Sequence, residues 1–312
     1  APPVAKSSTP PGTQAGTPAA SSTVAKTPPP SGDDAAYEAF DQGRYLTALD
    51  LAMKAAAKGD AQAHTLVGRI YAEGHGTSKN PAAAAQWYAR GADLGDPEAM
   101  FAVAVMLADG TGVQKDRAEA ARLFEAAAAH KHPLANYNLA LMFLSGNGKP
   151  ENPHRAAMHM RFAAESGVVV AQYDLGTLYA TGTGVDANAA EAAGWMAKAA
   201  AAGHTEAQLD YAVMLFRGQG VAVDQKRGAE LFRAAAEKGL ASAQIRLARC
   251  LAQGAGVPAN LVEAAKWHLI AKAGGLADED LEKALAKLPK ADRAKAQKAA
   301  DDWRDRSQAG LQ

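Results

Sequence analysis

The stretch Ala171–Gly203, AQYDLGTLYATGTGVDANAAEAAGWMAKAAAAG, decides the fold of this chain. It contains a Gly-x-Gly turn at Gly182 and Gly184, an asparagine at Asn188, and an alanine-rich run closed by Gly203. Working outward, the same features return every 36 residues. Gly74, Gly110, Gly146, Gly182, Gly218 and Gly254 form one column, and Gly76, Gly112, Gly148, Gly184, Gly220 and Gly256 a second. Glycine supplies only 29 of 312 residues, so twelve glycines in phase mark an internal repeat. Alanine columns keep the register: Ala63, Ala99, Ala135, Ala171, Ala207 and Ala243, then Ala85, Ala121, Ala157, Ala193, Ala229 and Ala265. Another column holds only Asn or Asp: Asn80, Asp116, Asn152, Asn188, Asp224 and Asn260. Six full units fill residues 61–276.

Each column has a physical reading. Ala63, Val67, Ile70 and Tyr71 fall on one face of a helix over Ala61–Glu73, called helix A. The Gly-x-Gly loop ends it, because glycine enters positive φ without a steric penalty. The Asn/Asp column caps the next helix, its side-chain oxygen accepting from free N–H groups. Asn80-Pro81 and Asn152-Pro153 place proline where a first helical turn accepts it. Helix B follows, for example over Pro81–Leu94. Its Ala85 column is small at every repeat, as close backbone approach requires. Gly95, Gly167, Gly203, Gly239 and Gly275 close helix B, and Lys131 breaks that column. Helices of about 13 residues are marginal alone, so each unit is stable only when stacked on a neighbour.

The columns Ala-x3-Leu-Gly-x2-Tyr-x2-Gly-x-Gly-Val, Asp/Asn, Ala-Ala-x-Trp and Ala-Ala-x2-Gly resemble the Sel1-like repeat, a relative of the tetratricopeptide repeat with a longer loop. The fullest copy carries Ala171, Leu175, Gly176, Tyr179, Gly182, Gly184, Val185, Asn188, Ala192, Ala193, Trp195, Ala199, Ala200 and Gly203. The resemblance implies an all-α chain, a right-handed α/α superhelical solenoid of about six repeats with helical caps at both ends. Repeat three departs most, with Lys149-Pro150 after Gly148 where Val is usual, so its loop is expected to be reshaped. Residues 34–60 keep the phase and resemble a tetratricopeptide unit, an N-terminal cap. Residues 277–312 read as capping helices and tail: a short helix over Asp278–Leu288, Pro289, then a longer one over Ala291–Arg306. Leu281, Leu285, Leu288 and Trp303 are expected to cover the last repeat.

Residues 1–33 are a different polymer. They hold eight of the fifteen prolines, with Ala, Ser, Thr and Gly, and no aromatic residue precedes Tyr37. Such a segment buries too little apolar surface to offset its ordering entropy, and it reads as a disordered tether. The start at Ala1 fits a mature exported chain or a trimmed fragment. A periplasmic or otherwise exported location is the expectation, with the cytoplasm as the alternative.

Composition excludes several classes. The 33 basic and 33 acidic residues cancel, which argues against a nucleic-acid partner. The apolar share is 48% but the aromatic share only 6%, which favours close-packed helices over a β-sandwich. The single Cys250 excludes an intrachain disulfide. It shares a column with Ile70, Met106, Met142, Leu178 and Met214 and reads as core. No apolar run is long enough for a membrane span.

Catalytic motifs are absent. A dinucleotide fingerprint would need a third glycine at Lys79, Lys115, Glu151, Ala187, Val223 or Ala259. Gly148-Lys149 lacks the Walker spacing, and there is no Gly-x-Ser-x-Gly elbow or His-Glu-x-x-His. Some Sel1-like proteins are described as penicillin-binding or β-lactamase-like, but no Ser-x-x-Lys occurs here. No cofactor or metal is expected. His130 and His132 read as surface loop residues, and His159, Trp87, Trp195 and Trp267 as packed core positions.

One column is a candidate site. It holds Thr65, Phe101, Tyr137, Tyr173, Leu209 and Ile245, two residues before the Val67 core column. By resemblance to tetratricopeptide arrays, helix A lines the concave face and this offset points into a groove. The next column adds Asn138, Asp174, Asp210 and Arg246 as a polar edge. Aromatic anchors with polar neighbours suit an extended peptide or partner helix. The competing reading is that these side chains fill space between adjacent A helices. A protein-interaction scaffold is therefore the expected function, with no enzyme activity. The alternatives are an enzyme acting on a cell-wall or β-lactam substrate, and an RNA-binding helical array. Asp174, Asp210 and the neutral charge oppose the last of these.

Overall fold

In a computed structural model, residues 34–309 are described; the tether expected over 1–33 and the last three residues lie outside them. Among the described residues there are sixteen helices and no strand. Two come first, α1 (Asp34–Asp41) and α2 (Tyr45–Ala56). Six A/B pairs follow: α3 (Ala61–Glu73) with α4 (Pro81–Asp93), α5 (Pro97–Asp109) with α6 (Arg117–Ala129), and α7 (Pro133–Ser145) with α8 (Pro153–Glu165). Then come α9 (Val169–Thr181) with α10 (Ala189–Ala201), α11 (Thr205–Arg217) with α12 (Gln225–Glu237), and α13 (Ala241–Gln253) with α14 (Leu261–Ala273). The chain closes on α15 (Glu279–Leu285) and α16 (Lys290–Ala309). Each helix packs on its partner and on the next pair, which makes an α-solenoid.

The repeat columns explain the local geometry. All six Asn/Asp side chains accept from a backbone N–H of helix B's first turn, as Asn80 does from Ala83 at 3.0 Å and Asp224 from Arg227 at 2.9 Å. The N–H of that same residue donates back across the loop to helix A, as Asn188 does to Tyr179 O at 2.9 Å. Repeat three makes the same bond, Asn152 N–H to Phe143 O at 2.8 Å, so its loop is not reshaped. The closing bond fixes the loop's ends, and Lys149-Pro150 sits between them with Lys149 Nζ bonded to Glu125 at 2.7 Å.

The second glycine column has a role beyond helix termination. Gly184 has φ +71, and a Cβ there would lie 2.0 Å from Pro153 O, the start of helix B in the preceding repeat. The loop therefore backs directly onto its neighbour's main chain. Lys131, which replaces a glycine, adopts φ 62, a left-handed conformation that strains a side-chain-bearing residue.

The core runs along the axis in successive clusters. The Ala85 column is buried in every repeat. Trp195 and Trp267 are buried, whereas Trp87 and His159 are only half-buried, a correction to their reading as core positions. The His159 ring stacks on Phe143 at 5.8 Å, and its Nδ1 lies 2.9 Å from Asn136 Oδ1. Cys250 is buried and its thiol is pushed up to about 11 by desolvation, so it is not a thiolate at neutral pH. Leu281 and Leu285 of α15 are buried in the last cluster, and Leu288 and Trp303 pack on it.

A polar staple joins successive repeats. Gln172, Gln208 and Gln244 share one position on helix A, and each amide donates 3.2 Å to a carbonyl in the last turn of the preceding helix B: Ala164, Ala200 and Ala236. Each of these carbonyls also accepts from the N–H of the glycine that closes helix B, so the glutamine fills its second acceptor site.

Candidate functional site

Helix A begins at a second capping column: Asp60, Asp96, His132, Val168, His204 and Leu240. His132 Nδ1 accepts from Ala135 N–H at 3.1 Å, and His204 Nδ1 from Ala207 N–H at 3.3 Å. An imidazole nitrogen that accepts here must be unprotonated, so the proton of the neutral ring lies on Nε2. His132 Nε2 faces Glu98 at 3.0 Å. His132 is thus a helix cap whose side chain is only 9% exposed, a correction to its reading as a surface loop residue.

The candidate column meets this capping column one repeat on. Phe101 stacks on His132 at 4.6 Å, Tyr173 stacks on His204 at 4.6 Å, and Thr65 donates to Asp96. Two tyrosines also reach the next A helix. Tyr137 Oη donates to Asp174 Oδ2 at 3.0 Å, and Tyr173 Oη to Asp210 Oδ2 at 3.1 Å. Asn138 turns back to its own helix, donating to Leu134 O at 2.8 Å. Arg246 lies 5.9 Å from the Phe232 ring centroid. Phe101, Tyr137, Tyr173 and Leu209 are half-buried. Ile245 is 7% exposed, so it belongs to the core and lines no open surface. The aromatic residues therefore do connect adjacent A helices, while keeping part of each ring in solvent.

Two flanking columns escaped the sequence reading. Leu134, Val170 and Leu141 are 36%, 36% and 37% exposed. Leu134, Tyr137 and Leu141 are spaced i, i+3 and i+7, so they share one face of α7. Val170 precedes Tyr173 on α9 in the same way. The Tyr137–Asp174 bond joins the two helices, which makes one apolar patch with a tyrosine–aspartate seam. Exposed leucines are individually unremarkable, and only their shared face picks them out.

Burial pushes the Asp174 carboxyl above the usual carboxylate range, against the lowering effect of the Tyr137 hydrogen bond. Asp210 shifts the same way by burial, opposed by Tyr173 and Arg246. A carboxyl raised in the folded state contributes stability below its unfolded pKa and loses that contribution as pH rises through the folded value. Asp174→Asn keeps an acceptor for Tyr137 and removes the buried charge. It should raise the melting temperature at neutral pH, with the gain shrinking as pH falls toward about 4. Tyr137→Phe should cost about 1–2 kcal/mol at neutral pH, because the carboxylate loses its donor. Melting curves at both pH values check this; an Asp174→Asn gain that is the same at each would show a carboxyl that titrates as in the unfolded chain.

Among the described residues, no group of three or more His, Cys, Asp or Glu side chains could hold a metal. No helix there is long and apolar enough to cross a membrane.

Stacked helix pairs of uniform length, with capped joints and a patterned A-helix face, define a solenoid repeat protein. The chain belongs to the Sel1 repeat family, whose model matches residues 61–96, 97–132, 133–168, 169–204, 205–240 and 241–276. Sel1 repeat proteins generally act as protein-interaction scaffolds and are typically not enzymes. A Sel1 repeat protein from Oxalobacter formigenes is similar at 28% identity and a TM-score of 0.65, covering 76% of this chain and 94% of that one. A protective antigen of uropathogenic Escherichia coli, displaying an SLR fold, is similar at 26% identity and a TM-score of 0.56, covering 86% of this chain and 67% of that one. No curated protein matches the chain.

Proposed function

We propose that this chain is an adaptor that binds a protein or peptide partner on the A-helix face of its third and fourth repeats. The observation that carries this is the patch formed by Leu134, Leu141 and Val170 around the half-buried Tyr137 and Tyr173. Recognition there is docking on a preformed surface, with little ordering entropy lost by the scaffold. Asp174, Asp210 and Asn138 edge the patch and supply polar contacts, Phe101 and Leu209 extend it to the neighbouring repeats, and Arg246 lies beyond it on α13. An exported location in a bacterial envelope belongs to the same reading. Its support is the Pro/Ser/Thr/Ala-rich composition of residues 1–33.

The test must spare the tyrosines. Truncating Tyr137 or Tyr173 would strip the donor from a half-buried carboxylate and disturb the stack itself. Leu141→Glu with Val170→Glu changes only exposed positions. Affinity capture with residues 34–312 as bait, from separate envelope and cytosolic extracts of the source cells, should retain a partner that the double variant loses. Equal retention by both baits would refute the patch, and a cytosolic origin of the partner would refute the envelope assignment.

A further inference from the structure

We propose that the cavity between α12, α14 and α16 is a binding site for a carboxylate carried on a flat apolar group. The cavity has a volume of about 330 Å³ and is lined by Glu237, Lys266, Trp267, Trp303, Arg306 and Ser307. That size lies at the lower end for small-ligand sites. It is built from B helices and the C-terminal helix, so it is separate from the A-helix patch.

Its wall is aromatic. Trp267 is 1% exposed, and Trp303 meets it edge-on at 5.8 Å with an interplanar angle of 67°. The Trp267 indole N–H lies 3.4 Å from Glu263 Oε1, which also binds Arg233, so this end of the ring is already satisfied. A flat apolar group entering the cavity would meet the half-buried Trp303 ring, because Trp267 is already covered.

Its charge is cationic. Lys266 Nζ lies 4.2 Å from the Trp267 ring centroid. Among the described residues, neither Lys266 nor Arg306 has a carboxylate within 4.0 Å. Arg233, Lys266 and Arg306 stand against Glu263 and Glu237, an excess of one positive charge. Burial holds the Lys266 ammonium below its ordinary range; Glu263 and Glu237 oppose that effect, and Arg306 and Arg233 add to it. An incoming carboxylate would relieve this repulsion through charge-assisted hydrogen bonds.

Two sources share this chemistry: a free aromatic acid and the C-terminal carboxylate of a polypeptide ending in an aromatic residue. The full chain is titrated with 3-phenylpropionate and with N-acetyl-Gly-Gly-Phe, each beside its amide, and followed by tryptophan fluorescence. The acids should give a saturable change that the amides do not. Lys266→Met and Arg306→Gln, with unchanged melting curves, should each weaken it about tenfold or more. Tighter binding of the peptide acid identifies a chain terminus as the natural ligand, and tighter binding of the small acid a free aromatic acid. No saturable change with either acid, equal binding of acid and amide, or unaltered binding by both variants would overturn the proposal.

Discussion

Replacing Gly184 with alanine should cost about 2–5 kcal/mol of folding stability, a large effect for one added methyl group. Two penalties combine. The residue sits at φ +71, where a Cβ costs about 1–2 kcal/mol. The new Cβ would also lie 2.0 Å from Pro153 O, a main-chain atom that cannot rotate away, and overpacking of this kind costs about 1–3 kcal/mol. Gly167→Ala isolates the first term, because its φ is +90 but no atom lies within 4 Å of the added carbon. Urea unfolding followed by circular dichroism should therefore rank wild type above Gly167→Ala and Gly167→Ala above Gly184→Ala. Equal losses at the two sites would mean that the loop does not press on the preceding repeat.

Ending the chain after Leu276 should unfold more than the residues removed. The lost segment buries Leu281, Leu285, Ala296 and Ala300 and covers α14 with Leu288 and Trp303. The two buried leucines alone account for about 3–6 kcal/mol of transfer free energy. Trp267, Ile270 and Ala271 of the last repeat would be newly exposed. A terminal pair held from one side only is stabilised by a single interface, so α13 and α14 should fray while the earlier repeats stay folded. Hydrogen exchange by mass spectrometry would show protection lost over 241–273 and kept over 61–200. Unchanged protection in α13 and α14 would mean that the last repeat stands without its cap.

Much of the local structure was legible because it depends on the chain's own backbone. An asparagine such as Asn80 caps the helix that follows it, and a glycine such as Gly182 ends the helix before it; both acts involve atoms a few residues away. Repetition then multiplied a weak signal sixfold, since one Asn or one Gly-x-Gly alone would have meant little. His132 was misread for the reverse reason. Its column mixes Asp, His, Val and Leu, histidine is not a customary cap, and its stacking partner Phe101 is 31 residues back. Glu98, whose carboxyl it holds below the usual range by a hydrogen bond, is 34 residues back, farther still.

The sequence by itself determined the repeat length, the helix pairs, their caps and the family, since these follow from periodic local rules. It also identified the column that contains Tyr137 and Tyr173. Only the tertiary structure decided what that column does. It showed the tyrosine hydroxyls bonded to Asp174 and Asp210 one repeat away, Ile245 in the core, and Leu134, Leu141 and Val170 in solvent. The same holds for Gly184 against Pro153 and for the cavity that joins Lys266 to Arg306. A period states which residues are equivalent. It does not state which atoms of a neighbouring repeat each one meets, because that depends on how far one helix pair is shifted and turned on the next.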